Sequence, residues 1–88
     1  MLPLEDKDRE LLSAELHALW KDVLRKDVAA ADDFFESGGD SLSALRMIST
    51  IQKTYSLEID VSTFFETPNL DNLVRMVALE KARQSERP

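Results

Sequence analysis

The chain holds only two glycines, and they stand side by side at 38 and 39. Three prolines complete its stock of strong turn formers. A loop-rich or multi-turn β fold draws heavily on such residues. Their scarcity over 88 residues points instead to long helices joined at few places. That length allows one domain with one small core, too small for an enzyme built round a deep, walled active site. Hydrophobic residues at 43 % and charged residues at 32 % are the balance of a folded, soluble chain. The absence of cysteine excludes a disulfide scaffold, a thiol nucleophile and any Cys-ligated zinc or iron–sulfur site.

Seventeen acidic residues stand against eleven basic ones, a net charge of −6. A nucleic-acid binder would show a basic patch, so that class is set aside. Acidic charge fits docking against basic protein surfaces, with solubility as the plainer reason for it. No apolar run approaches the roughly 20 residues needed to span a bilayer, so no membrane role is expected. The start, Met1 to Asp8, lacks the charged-then-apolar layout of a signal peptide, and a cytoplasmic location is the expectation.

Apolar residues recur at three- and four-residue steps from Asp8 to Leu24, through Leu12, Leu16, Leu19, Trp20, Val23 and Leu24. That is an amphipathic helix, with Asp6 or Asp8 able to cap it. From Arg25 to Asp40 the period vanishes. Val28, Phe34 and Phe35 in this long connection are expected to tuck against the core, because structureless loops of such length are uncommon. Gly38-Gly39 breaks the backbone, and Asp40 is placed to cap a second helix over Ser41–Tyr55. Asp60 is placed to cap one or two turns over Val61–Glu66. Alternation of Leu57, Ile59 and Val61 could spell a strand, but one isolated strand has nothing to pair with. Thr67-Pro68-Asn69 stops that piece and caps a last helix carried by Leu70, Leu73, Val74, Val77 and Ala78, fading near Arg83. The expected architecture is all-α, a four-helix bundle of three longer helices and one short one. It is a single domain over 1–88, with a core from about 8 to 83 and a frayed tail at 84–88, and it is expected to be monomeric.

Projection of the second helix at about 100° per residue places Ala44, Met47, Ile48, Ile51 and Tyr55 on one core-facing side. Leu42 then falls about 160° from Ala44, and Leu45 about 100° from it. A leucine aimed at water beside a Gly-Gly turn is not needed to build a core, although single exposed leucines are ordinary. Leu42 and Leu45 together mark a possible docking patch. Ser41 lies at the first helical turn, where unpaired N–H groups and the positive dipole end favour a phosphate on the hydroxyl. Asp and Ser at a helix start are also simply common caps.

The run Asp33-Phe-Phe-Glu-Ser-Gly-Gly-Asp-Ser-Leu-Ser-Ala-Leu-Arg, residues 33–46, resembles the signature of phosphopantetheine-dependent carrier proteins. It is most similar to the peptidyl carrier, or thiolation, domains of nonribosomal peptide synthetases, and the resemblance extends over residues 9 to 80. It implies that Ser41 receives a 4′-phosphopantetheine arm from coenzyme A, whose thiol holds an aminoacyl or peptidyl thioester. It further implies that Gly38 and Gly39 shape the turn that exposes Ser41, and that Asp40 belongs to that turn. Leu42, Leu45, Arg46 and Ser49 match the face that such carriers present to partners. Those partners would be a phosphopantetheinyl transferase and then adenylation, condensation and thioesterase or tailoring enzymes. Acyl carriers of polyketide and fatty-acid synthesis share the fold and the serine, and Gly38-Gly39 and Arg46 favour the peptidyl class.

Gly39-Asp-Ser-Leu also spells the nucleophile block of a family of lipases and esterases, whose serine needs a downstream Asp and His. Here the one histidine, His17, stands upstream on the first helix, where a solvent-facing or boundary position is expected. The carboxylates Asp32, Asp33, Glu36 and Asp40 lack the spacing of a calcium loop and read as a solvated acidic loop, and no metal site is expected. The remaining alternative is an unmodified helical interaction module, in which Ser41 is only a cap.

Overall fold

A computed structural model describes the backbone of residues 6–85 and the side chains of 7–84. Four helices follow in order: α1 (Asp6–Leu24), α2 (Ser41–Tyr55), α3 (Val61–Glu66) and α4 (Leu70–Ser85). There is no strand among the described residues. Leu57 and Ile59 are buried in the α2–α3 link, outside any helix or ladder. The amphipathic pattern explains this outcome. Leu12, Leu16 and Trp20 of α1 are buried against Ala44, Met47, Ile48 and Ile51 of α2 and Leu73, Val74 and Val77 of α4. Leu19, Val23 and Leu24 pack only at the margin of that core.

The helix ends follow local chemistry. The Asp60 carboxylate accepts from the backbone N–H of Ser62 and Thr63, which starts α3. Asn69 Oδ1 accepts from Asn72 N at 2.8 Å and starts α4. Asn72, buried in the first turn of α4, donates back to the Thr67 carbonyl at 2.9 Å and so fastens the turn between the two helices. Two expectations change at the ends. Asp8 lies inside α1 rather than before it and so is not its cap, whereas the Asp6 side chain and the segment 1–5 read for a targeting signal lie outside the described residues. At the other end α4 runs through Ser85 instead of fraying at 84. Gln84 donates its amide to the Ser56 carbonyl, which ties the last turn to the end of α2; the rest of the expected tail, 86–88, lies outside the described residues.

Five aromatic rings meet in the half of the molecule that carries the long α1–α2 connection. Trp20 stands edge-on to Phe34 at 5.1 Å and to Phe64 at 6.0 Å. Phe35 bridges outward from Phe34 to Phe65. The Trp20 indole N–H is buried with no acceptor among the described residues, a desolvation cost set against close ring packing. Helix α1 therefore packs on α4 and α2 along its length, and its Trp20 anchors the loop that follows.

At the far end of α2, the Tyr55 hydroxyl donates to Glu15 at 2.8 Å, and Lys81 lies over the ring. Burial pushes the Tyr55 hydroxyl up from 10.0 to about 12, with help from the Glu15 carboxylate that holds its proton. The folded chain thus keeps this proton more tightly than the unfolded chain. The resulting stabilisation is complete below pH 10.0 and disappears as pH rises toward about 12. Thermal melts between those limits should show a steeper alkaline loss of stability in the wild type than in Tyr55→Phe; parallel curves would show that the pair has no such effect.

Candidate functional site

The chain between α1 and α2 is a pinned loop. Phe34 N donates to the Pro68 carbonyl at 2.7 Å, and Asp71 N donates to the Ala30 carbonyl at 3.1 Å. These two bonds stitch the loop to the α3–α4 turn. Val28 and Phe34 are buried and Phe35 is half-buried, as expected for the apolar members of this segment. The acidic residues are exposed apart from half-buried Asp33, as expected of a solvated loop, and most of them also bond the backbone. Asp33 accepts from Phe35 N at 2.7 Å and from Glu36 N at 3.1 Å, and Asp32 accepts from Ala29 N at 3.0 Å. Each carboxylate folds the backbone back on itself, the usual work of Asp in a tight turn. No cluster of carboxylates or histidine that could hold a metal occurs among the described residues.

Gly38 and Gly39 serve different needs. Gly38 has φ of +109°, a region that side chains rarely enter. Gly39 is ordinary in φ but lies on the Phe34 ring, where a Cβ would fall 2.2 Å from a ring carbon. That ring cannot move aside easily, because Trp20 and Phe64 hold it from other directions. The backbone bond from Gly39 N to the Phe34 carbonyl, 3.0 Å, closes the turn.

Asp40 follows in extended conformation and caps α2, accepting from Ser43 N at 2.8 Å. That bond, with the Ser43 hydroxyl and the nearby Arg46 charge, holds the Asp40 carboxyl below the usual carboxylate range. Because Asp40 supplies the cap, Ser41 is released from that duty. Ser41 is the first residue of α2, is exposed, and its hydroxyl makes no hydrogen bond among the described residues. The N–H groups of Ser41 and Leu42 also find no acceptor there, as expected in a first turn.

The helix projection holds on its core side and on its outer side. Ala44, Met47, Ile48 and Ile51 are buried and Tyr55 is half-buried. Leu42 is 59 % exposed, Leu45 is 44 % exposed, and Arg46 and Ser49 are exposed. All four therefore share the outer surface of the helix that Ser41 begins. Phe65 is exposed on α3 and edge-on to Phe35, which sequence alone could not show, because adjacent Phe64 and Phe65 in a two-turn helix give no period to separate core from surface. His17 is half-exposed and bonded through Nε2 to Asp27 at 2.8 Å, so its imidazole is engaged on α1.

The signature of the phosphopantetheine attachment site family matches residues 14–77, spanning α1 to α4. The chain belongs to that family. It is a carrier domain, similar to segments of peptide synthetases. Gramicidin S synthase 2 of Aneurinibacillus migulanus is 38 % identical to it over 73 residues, which cover 82 % of this chain and 2 % of that protein. The carrier domain thus spans a small fraction of the curated relatives it matches. Among solved structures, a chain in the complex of the phosphopantetheine transferase Sfp with coenzyme A and a peptidyl carrier protein superposes with a TM-score of 0.72. It is 26 % identical, and the match covers 77 % of this chain and 90 % of that one. The McyG A-PCP structure with phenylalanyl-adenylate superposes at 0.68, with 26 % identity over 88 % of this chain and 12 % of that one. These likenesses agree with the all-α architecture of the carrier domain.

The family attaches 4′-phosphopantetheine, and the turn fits that group. An unbonded hydroxyl with free N–H groups beside it, at the positive end of α2, suits a phosphodiester. Gly39→Ala should destabilise the carrier domain by about 1–3 kcal/mol, as overpacking does in a closed core. Urea unfolding followed by Trp20 fluorescence would measure it. In a Phe34→Leu background the added methyl should be tolerated better, and an unchanged penalty there would show that the ring is not the obstacle.

Proposed function

We propose that this carrier domain works in nonribosomal peptide assembly, with Ser41 as the residue that accepts the 4′-phosphopantetheine arm. The observation that carries the reading is the Ser41 hydroxyl, exposed and unbonded on a turn whose two glycines and Asp40 cap leave it nothing else to do. When attached, the arm supplies a thiol for an aminoacyl or peptidyl thioester. The domain's own residues present the serine, keep the helix start fixed and offer a docking surface.

Ser41 is not a hydrolase nucleophile in this reading. Among the described residues no carboxylate or imidazole is hydrogen-bonded to the Ser41 hydroxyl; Asp40 bonds Ser43 N and His17 bonds Asp27. Activation must come from a phosphopantetheinyl transferase. The exposed Leu42 and Leu45, with Arg46 and Ser49, form the face for that enzyme and for adenylation, condensation and thioesterase or tailoring partners. A small face suits a carrier that has to leave each partner. The domain acts as a monomer in the cytoplasm, and no helix among the described residues is long and apolar enough to cross a membrane.

Incubation with coenzyme A, magnesium and a broad-specificity transferase should add one phosphopantetheine to the wild type by intact mass, and none to Ser41→Ala. Since Asp40 rather than Ser41 caps the helix, Ser41→Ala should shift stability by less than about 0.5 kcal/mol. Modification of a folded Ser41→Ala would place the site elsewhere. Leu42→Asp should leave the melting curve in place while slowing the transfer of the arm, and wild-type rates in that variant would remove Leu42 from the docking face.

A further inference from the structure

Helix α1 ends on an unusual residue. Arg25 N donates to the Lys21 carbonyl at 2.8 Å and closes the helix, and Arg25 has φ of 62°, in the left-handed region. Glycine is the favoured residue at such a helix end because it adopts this conformation without strain. Helix closure itself uses nothing of the arginine side chain.

Arg25 lines a hollow of about 420 Å³ between the end of α1 and the flank of α2 that carries Ser43, Arg46, Met47 and Thr50. Arg46 lines it as well, with Leu19, Val23 and Met47 as apolar lining and Asp22 as the one carboxylate. Neither guanidinium makes a hydrogen bond or ion pair among the described residues, although the Arg46 charge is felt by Asp40. In a chain of net charge −6 this is a local excess of positive charge over an apolar base. The hollow is also close to the modification end. Arg46 lies about 7.5 Å along the helix from Ser41 and about 140° round it, and it shares the outer surface of α2 with exposed Leu42 and Leu45, so an enzyme that covers those leucines borders the hollow.

We propose that the Arg25–Arg46 hollow seats an acidic side chain, with an apolar neighbour, from the transferase that modifies Ser41. The inference rests on the reading of Ser41 given above and extends the docking surface from α2 to the end of α1. Arginine is suited to the task because its planar fork binds a carboxylate in two bonds while its stem lies on apolar surface. Exposed charge pairs of this kind act mainly on encounter and residence, not on the chemical step.

Steady-state phosphopantetheinylation, with coenzyme A saturating and the carrier varied, separates these effects. Arg25→Gly should raise KM for the carrier about fivefold and leave kcat within about twofold, the size expected for one partly solvated charge pair. The same substitution relieves the left-handed backbone, so the melting temperature should stay level or rise. A residue kept for structure alone would give the opposite pattern, with lowered stability and unchanged KM. Arg46→Gln should raise KM similarly, and added salt should weaken the wild type more than an Arg25→Gly/Arg46→Gln double variant. Arg25→Lys, which keeps charge but loses the fork, should fall between. Wild-type KM in both single variants, with the wild type itself modified, would overturn the inference alone. Absence of modification on folded wild type would overturn the reading of Ser41 and this inference with it.

Discussion

The Phe34 ring occupies the space that a side chain at position 39 would need, and much of the molecule is arranged around that contact. From one side Trp20 of α1 holds the ring, from another Phe64 of α3, and the backbone of Phe34 is bonded to Pro68 in front of α4. A single loop residue thereby contacts two helices with its ring, bonds through its backbone to the turn before a third, and lies under the turn that leads into the fourth. Since Gly39 is two residues before Ser41, the core determines where α2 begins. The exposed serine thus stands two residues from a glycine seated on a fully buried ring.

Separation of duties explains why the turn can present a free hydroxyl. Four needs converge there: reversal of the chain, close approach to the ring, capping of α2 and exposure of a hydroxyl. Gly38 meets the first through its positive φ, Gly39 the second through its missing side chain, and Asp40 the third through its bond to Ser43. The hydroxyl of Ser41 is left over, and in a helix start that is the unusual outcome, because serine there is normally consumed as a cap. The pinned backbone is economical for a carrier domain. A tethered arm provides reach, so the protein part need supply only a fixed base and a surface that partners can find and leave.

Much of this was legible from residue order. The boundaries of α2 and α3, the Asp40 and Asp60 caps, and the core side of α2 follow from the 3.6-residue period and from cap chemistry, both of which are local. Leu42 and Leu45 fell on the outer side for the same reason, since in a 15-residue helix one angle per residue accumulates little error. Less was legible where partners are distant in sequence. The last turn of α4 is tied by Gln84 reaching Ser56, 28 residues back in sequence. Asp33 and Asp32 looked like solvated charge because their acceptor role appears only once the backbone has turned back. Phe65 could not be assigned to a surface from a two-turn helix.

By itself the sequence determined the all-α class, the order of the helices, the double-glycine turn and the serine at its end, because periodicity, caps and glycine content act over a few neighbouring residues. Only the tertiary structure decided why the two glycines differ, which aromatic rings lock the turn, and that Arg25 and Arg46 share one hollow. Those are contacts between residues 5 to 34 positions apart, from Phe34–Gly39 to Phe34–Pro68, or between side chains on different helices. Such contacts depend on how the helices cross, which is settled by packing of the whole core and not by any one segment.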